Sequence, residues 1–147
     1  MQTRTAALEI SPALLADLET HARGTYPDEC CGMLVGIAGN PDSRMGAKVT
    51  AIWPAENAVP GDRSKGYAIA PEELLQAYKR ARSRGDVVIG YYHSHPDSGA
   101  APSDRDLAAA APGVSYLIVS IRDRVVLECR SWRLRPDNSG FEEESLI

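Results

Sequence analysis

The chain has 147 residues, 44% of them apolar and 24% charged, which suits one compact domain, residues 1–147, with a core of its own rather than a disordered chain. Its 16 basic and 20 acidic side chains leave a net charge of −4, so there is no basic surface to recommend nucleic acid as a partner. No apolar run reaches the roughly 18–20 residues that cross a bilayer, and Met1 to Ile10 lacks the apolar stretch of a secretory signal. Cys30, Cys31 and Cys129 make an odd count without CxxC spacing, which points away from disulfides and toward a reducing cytoplasm.

Ser11-Pro12 reads as a helix cap followed by proline in the first turn, with Leu14, Leu15, Leu18 and Ala22 on the apolar face and Gly24 and Pro27 as the stop. Cys30 to Ile37 reads as a buried strand leading to a turn at Gly39-Asn40-Pro41, and Lys48 to Trp53 alternates as a strand does. Pro54 to Gly66 is loop-like, a candidate flap over a substrate, and Tyr67 to Ile69 is expected to be a short strand. Pro71 opens a second helix, with Leu74, Leu75, Tyr78 and Ala81 as its apolar stripe and Gly85 as its C-terminal cap. Arg80, Arg82 and Arg84 in its last turns read as a solvated helix end rather than an anion site.

Val87 to Tyr92 is a second buried strand and runs straight into His93. Ser103 opens a short helix through Ala111, stopped by Pro112-Gly113. Ser115 to Ile121 and Val125 to Leu134 read as strands joined by a tight turn at Arg122-Asp123-Arg124. Asp137-Asn138-Ser139-Gly140 signals a hairpin, with Phe141 to Ile147 as an edge strand. Helices set among strands, without repeat or linker, predict an α/β or α+β sandwich.

The chemistry concentrates in His93-Ser94-His95-Pro96 and Pro102-Ser103-Asp104-Arg105-Asp106. Residues two apart on a strand share a face, so both imidazoles can reach one metal. Two imidazoles and a carboxylate suit Zn²⁺ and leave a position open for water. Asp106, Asp104 and Asp97 all qualify as that carboxylate by spacing. Ser103 and Asp106 also form a capping-box pattern with no chemistry attached. Glu29 stands before the apolar run, where it is either a general base or an ordinary loop carboxylate. Cys30 and Cys31, adjacent on a strand, point to opposite faces and read as packing residues, as does Cys129.

His93-x-His95, seven residues, Ser103, two residues, Asp106 resembles the signature of the JAMM (MPN-plus) zinc metalloprotease family. Tyr26-Pro27-Asp28-Glu29-Cys30-Cys31-Gly32-Met33-Leu34-Val35-Gly36 resembles that family's glutamate-bearing strand. The resemblance covers nearly the whole chain. It implies a cytidine-deaminase-like architecture, a mixed β-sheet flanked by helices. It also implies that His93, His95 and Asp106 ligate zinc, that Glu29 is the general base, and that Ser103 stabilises the oxyanion.

Only Leu107 to Ala111 separate Asp106 from Pro112-Gly113, so the chain resembles the short stand-alone prokaryotic type. That type implies cleavage after the Gly-Gly terminus of a ubiquitin-like sulfur-carrier protein, with release of cysteine or a short extension. An isopeptidase that frees a ubiquitin-like modifier from lysine is the alternative. A non-catalytic scaffold for ubiquitin-like proteins is the alternative of another class. A zinc deaminase needs H-x-E and PCxxC patterns, which are absent.

Overall fold

A computed structural model describes residues 7–40 and 46–147. Met1 to Ala6 and Pro41, the end of the first expected turn, lie outside the described residues. The elements are α1 (Pro12–Thr25), β1 (Cys31–Ile37), β2 (Lys48–Ala55), α2 (Pro71–Ser83), β3 (Val87–Pro96), α3 (Asp104–Ala109), β4 (Ser115–Arg122), β5 (Val125–Leu134) and β6 (Phe141–Glu144). The fold is mixed α+β. One six-stranded sheet runs β2-β1-β3-β4-β5-β6, antiparallel throughout except for the parallel pair β3 and β4.

A parallel pair needs a crossover. Here it is the stretch from Pro96 to Ser115, which carries α3. The crossover begins where the histidines end, so the topology itself delivers Ser103 and Asp106 to the mouth of β3.

Each face of the sheet has its own core. Leu18 and Ala22 of α1 pack with Cys30, Leu34, Tyr92, Leu117, Val119 and Ile121 on one side. Ala77 and Ala81 of α2 pack with Cys31, Met33, Val35, Trp53 and Val88 on the other. The period of two along Cys30-Cys31-Met33-Leu34-Val35 sends neighbours to opposite cores, so β1 is apolar throughout. Cys30 and Cys31 are thus buried on opposite faces, as expected. Burial pushes their thiols up to about 11 and about 12 respectively. Cys129 corrects the expectation in part: it leans on the first core but is only half-buried.

The turns follow their residues. Asp123 and Arg124, both at positive φ, form a two-residue loop between β4 and β5, which matches the right-handed twist of the strands. The Asp137 carboxylate accepts the Ser139 N–H at 3.0 Å ahead of β6.

Three further expectations are corrected. Tyr67 to Ile69 is not a strand: beside the segment runs a lone backbone bond, Ala58 N–H to the Ala68 carbonyl at 2.8 Å, and no ladder. The α2 stripe is Leu74, Ala77 and Ala81, whereas Leu75 and Tyr78 are exposed. Small side chains let this helix sit close to the sheet, and larger ones are turned outward. Helix α3 ends at Ala109, not Ala111, because the Ala111 N–H is taken by the Tyr116 hydroxyl at 2.8 Å.

Candidate active site

Strand β3 runs on through both histidines to Pro96. His93 and His95 therefore project to one side, while Ser94 faces the other and its Oγ accepts the Cys30 N–H at 2.8 Å. That bond fixes the start of β1, one residue from Glu29.

Beyond Pro96 the chain turns at Asp97, which sits at φ 61. Strands β4 and β5 then hold the return step by step. The Ile121 carbonyl accepts the Asp97 N–H at 2.7 Å. Ser120 Oγ donates to the Ser98 carbonyl at 2.5 Å, and Trp132 Nε1 donates to the Ala100 carbonyl at 2.9 Å. His95 Nδ1 donates to the Gly99 carbonyl at 2.8 Å. A carbonyl only accepts, so this last bond places a proton on His95 Nδ1 and turns Nε2 toward the site.

At the end of this path Asp106 meets both rings. Its Oδ1 lies 3.1 Å from His93 Nε2 and its Oδ2 lies 3.1 Å from His95 Nε2. The two Nε2 atoms are themselves 3.1 Å apart. The other spacing candidates are not in place. Asp97 is exposed and accepts the Tyr26 hydroxyl at 2.8 Å, and Asp104 is the exposed first residue of α3. Glu29 is buried, and its carboxylate joins the two imidazoles in a group whose donor atoms lie within 4.8 Å of one another.

The electrostatics separate the two carboxylates. Burial pushes Glu29 up to about 7; the Asp106 charge adds to this, while His95 and Arg105 oppose it. Burial also acts on Asp106, but its hydrogen bonds to His93 and His95 prevail and hold it well below the usual carboxylate range. One carboxylate is firmly ionised and the other is poised near neutrality, which is the pattern of a ligand beside an acid–base group. Burial lowers His93. At His95 burial is outweighed by the bonds to Asp106 and the Gly99 carbonyl, so its pKa rises.

The donor set fits a metal ion. A tetrahedral site with bonds of about 2.0–2.1 Å to nitrogen spaces its donors about 3.3 Å apart, close to the 3.1 Å found here. His93 Nδ1 is a buried atom without a partner, so the ring's polar contacts are all made through the nitrogen that faces Asp106.

Asn57 and Tyr67 complete the site, and no motif marked either of them as functional. Asn57 Nδ2 donates to the carbonyls of Glu29 at 3.1 Å and Gly66 at 3.0 Å, and its Oδ1 accepts the Val59 and Ala68 N–H groups. The Glu29 N–H in turn donates to the Arg63 carbonyl at 2.8 Å. The loop after β2 and the Glu29 backbone are therefore one unit. Only the Asn type, in an otherwise loop-like stretch, hinted at this. Tyr67 stacks on His93 with ring centres 4.5 Å apart. A cleft of about 460 Å³ opens over the cluster, lined by Glu29, Ser103 and Asp106 and, further along, by Tyr67, Leu74, Tyr91 and Tyr116.

Residues 11–135 match the family described as prokaryotic homologs of the JAB domain. Desampylase of Haloferax volcanii is 37% identical over 115 residues, 78% of each chain. The CysO-cysteine peptidase of Mycobacterium tuberculosis is 33% identical over 131 residues, 86% of this chain and 82% of the relative. The solution structure of a protein from Desulfitobacterium hafniense superimposes with a TM-score of 0.79 at 31% identity, covering 95% of this chain and 91% of that one. The chain belongs to the JAB/MPN (JAMM) family. It is an enzyme of the metallopeptidase or metallo-isopeptidase class.

Proposed function

We propose that the protein is a zinc-dependent peptidase that cuts after the Gly-Gly terminus of a ubiquitin-like sulfur-carrier protein and releases cysteine or a short C-terminal extension. The observation that carries this reading is the convergence of His93, His95 and Asp106 at 3.1 Å beside a buried Glu29. The CysO-cysteine peptidase relative supports the substrate class. Residues 1–147 are taken as one domain acting in the cytoplasm, in keeping with its three free thiols. No helix among the described residues is long and apolar enough to cross a membrane.

His93, His95 and Asp106 would hold Zn²⁺, which supplies Lewis-acid activation of water and of the scissile carbonyl. Glu29, poised near neutrality, takes the proton of the attacking water and returns it to the leaving amine. The Ser103 Oγ already accepts the Asp106 N–H at 3.2 Å. Its own hydrogen stays available to donate to the carbonyl oxygen as charge develops there. Tyr67, flat against His93, fixes the ring plane and keeps water off that face.

An isopeptidase that removes a ubiquitin-like modifier from lysine is the second reading, favoured by the desampylase relative. A non-catalytic scaffold fits less well, because the ligand, base and hydroxyl positions are all filled. The test is zinc analysis of the purified protein, followed by intact mass of a sulfur-carrier protein extended past Gly-Gly by cysteine. One zinc per chain and a chelator-sensitive loss of the extension are expected. Zinc without that cleavage, but with release from a lysine-linked fusion, shifts the assignment to the second reading.

A further inference from the structure

The cleft over the metal-ligand cluster differs in character along its length. Cys31 of β1 pairs with His93 of β3 in an antiparallel register, so Glu29, two residues before Cys31, falls beside the His95 end. Tyr91 lies two residues before His93, and its cross-strand partner is Tyr116. The Tyr91 and Tyr116 end, closed by Leu74, is aromatic and apolar. Lys65 and Arg105 also line the cleft, and they belong to the Glu29 end, because Arg63 two residues earlier accepts the Glu29 N–H.

Arg105 is held in place at this end. Its Nη1 donates to the Lys65 carbonyl at 2.9 Å. The guanidinium fills the space over Gly66, where a Cβ would stand 2.2 Å from Nη1. Arg105 precedes Asp106, so the cation is fixed to the same short helix as the metal-ligand carboxylate. An arginine has five N–H donors, and the contact with Lys65 uses one nitrogen. Among the described residues no carboxylate lies within 4.0 Å of Arg105 or Lys65. Glu29 and Asp62 act on these exposed cations only from beyond ion-pair distance, so the remaining guanidinium N–H groups of an arginine anchored at the cleft are free to meet an incoming anion. A guanidinium fork matches a carboxylate in particular.

We infer that Arg105, assisted by Lys65, binds the free α-carboxylate of the residue that leaves, so that the enzyme prefers a single C-terminal amino acid after Gly-Gly to an internal or lysine-linked bond. The inference rests on the peptidase reading above and specifies its leaving group. The apolar end of the cleft takes the chain before the scissile bond, and the cationic end reads the terminus after it. Arg105 acts as a specificity determinant and takes no part in proton transfer.

The test is equilibrium binding to the zinc-loaded Glu29→Gln protein, which reads recognition without turnover. Three fluorescent peptides are compared: one ending Gly-Gly-Ala with a free carboxylate, the same peptide as a carboxamide, and Gly-Gly-Glu as a carboxamide. The free acid is expected to bind roughly 10- to 100-fold tighter than the Ala carboxamide, the scale of a charge-assisted hydrogen bond. Arg105→Gln should bring that ratio to about one, while Arg105→Lys, which keeps the charge but not the fork, should retain part of it. Equal binding of acid and amide, or a ratio that survives Arg105→Gln, overturns the inference. Tight binding of the Glu carboxamide also overturns it, by showing that any nearby anion suffices. A clear acid preference without cleavage of the extended sulfur carrier by the wild-type protein would sink the peptidase reading and leave the anion subsite standing. Cleavage without acid preference would do the reverse.

Discussion

Ser103 and Asp106 hold each other: the Asp106 N–H donates to Ser103 Oγ at 3.2 Å while Asp106 Oδ2 accepts the Ser103 N–H at 2.9 Å. This is a complete capping box on α3, and the same Oδ2 lies 3.1 Å from His95 Nε2. Capping and the proposed chemistry thus use one pair of residues. The cap aims the carboxylate, and the carboxylate meets both rings.

Ser103→Ala should therefore have two separable effects. Loss of the N-cap costs about 1 kcal/mol of stability, visible as a small drop in Tm. Loss of the hydroxyl as an oxyanion donor costs about 2.7–4 kcal/mol of transition-state stabilisation, visible in kcat. A variant with the lowered Tm but wild-type kcat would restrict Ser103 to capping.

Glu29→Gln keeps the shape of the buried side chain and removes its proton chemistry. The expected outcome is a zinc content equal to wild type, an unchanged fold and loss of turnover. A chelator should abolish turnover of the wild type, and added Zn²⁺ should restore it. Metal analysis beside a mass-based cleavage assay checks all of this. A Glu29→Gln protein that lost its zinc would make Glu29 a ligand, which its place beside the two imidazoles also allows.

Much of this site could be read from residue order. The alternation of His93 and His95 on a strand needs only the period of two, and Ser103 with Asp106 is a local pattern. The choice of Asp106 over Asp97 and Asp104 came only from family resemblance, because a three-bond clamp by Ile121, Ser120 and Trp132 of β4 and β5, remote in sequence, sets the path of the return loop. Asn57 and Tyr67 were not legible for the same reason: their partners lie far along the chain or on backbone carbonyls that any residue offers. The α2 stripe failed because burial there follows closeness of approach. Ala77 and Ala81 fit against the sheet where Leu75 and Tyr78 do not. Tyr67 to Ile69 was strand-like in composition, but nothing in the sequence announced that it lacks a neighbouring strand.

The third histidine gives a pH dependence of stability. His21 Nδ1 accepts the Tyr92 hydroxyl at 2.8 Å, and burial lowers its pKa from the ordinary 6.5. As pH falls through 6.5, the unfolded chain takes up a proton that the native state resists, so stability present above that pH is lost below it. His93 is lowered too and acts in the same direction, whereas His95 is raised and opposes it. The difference between wild type and His21→Gln isolates the His21 contribution. Urea unfolding from about pH 8 to about pH 5 should show a shallower loss for the variant. Parallel curves would mean that His21 is protonated equally in both states.

Asn57 gives the sharpest test of how the loop serves the site. Asn57→Asp keeps the acceptor for the Val59 and Ala68 N–H groups but replaces the donor facing the Glu29 and Gly66 carbonyls with a second acceptor. The lost bonds and the repulsion should cost about 1–3 kcal/mol. The proposed metal ligands sit on β3 and α3, which the loop does not build, so zinc content should stay near that of wild type. Glu29, whose backbone the loop holds at both its N–H and its carbonyl, should lose its alignment, and kcat should fall more than zinc affinity. Measuring both on the same preparation decides the matter. A variant that keeps its kcat would show that β1, through the Ser94 bond to Cys30, positions Glu29 without help from the loop.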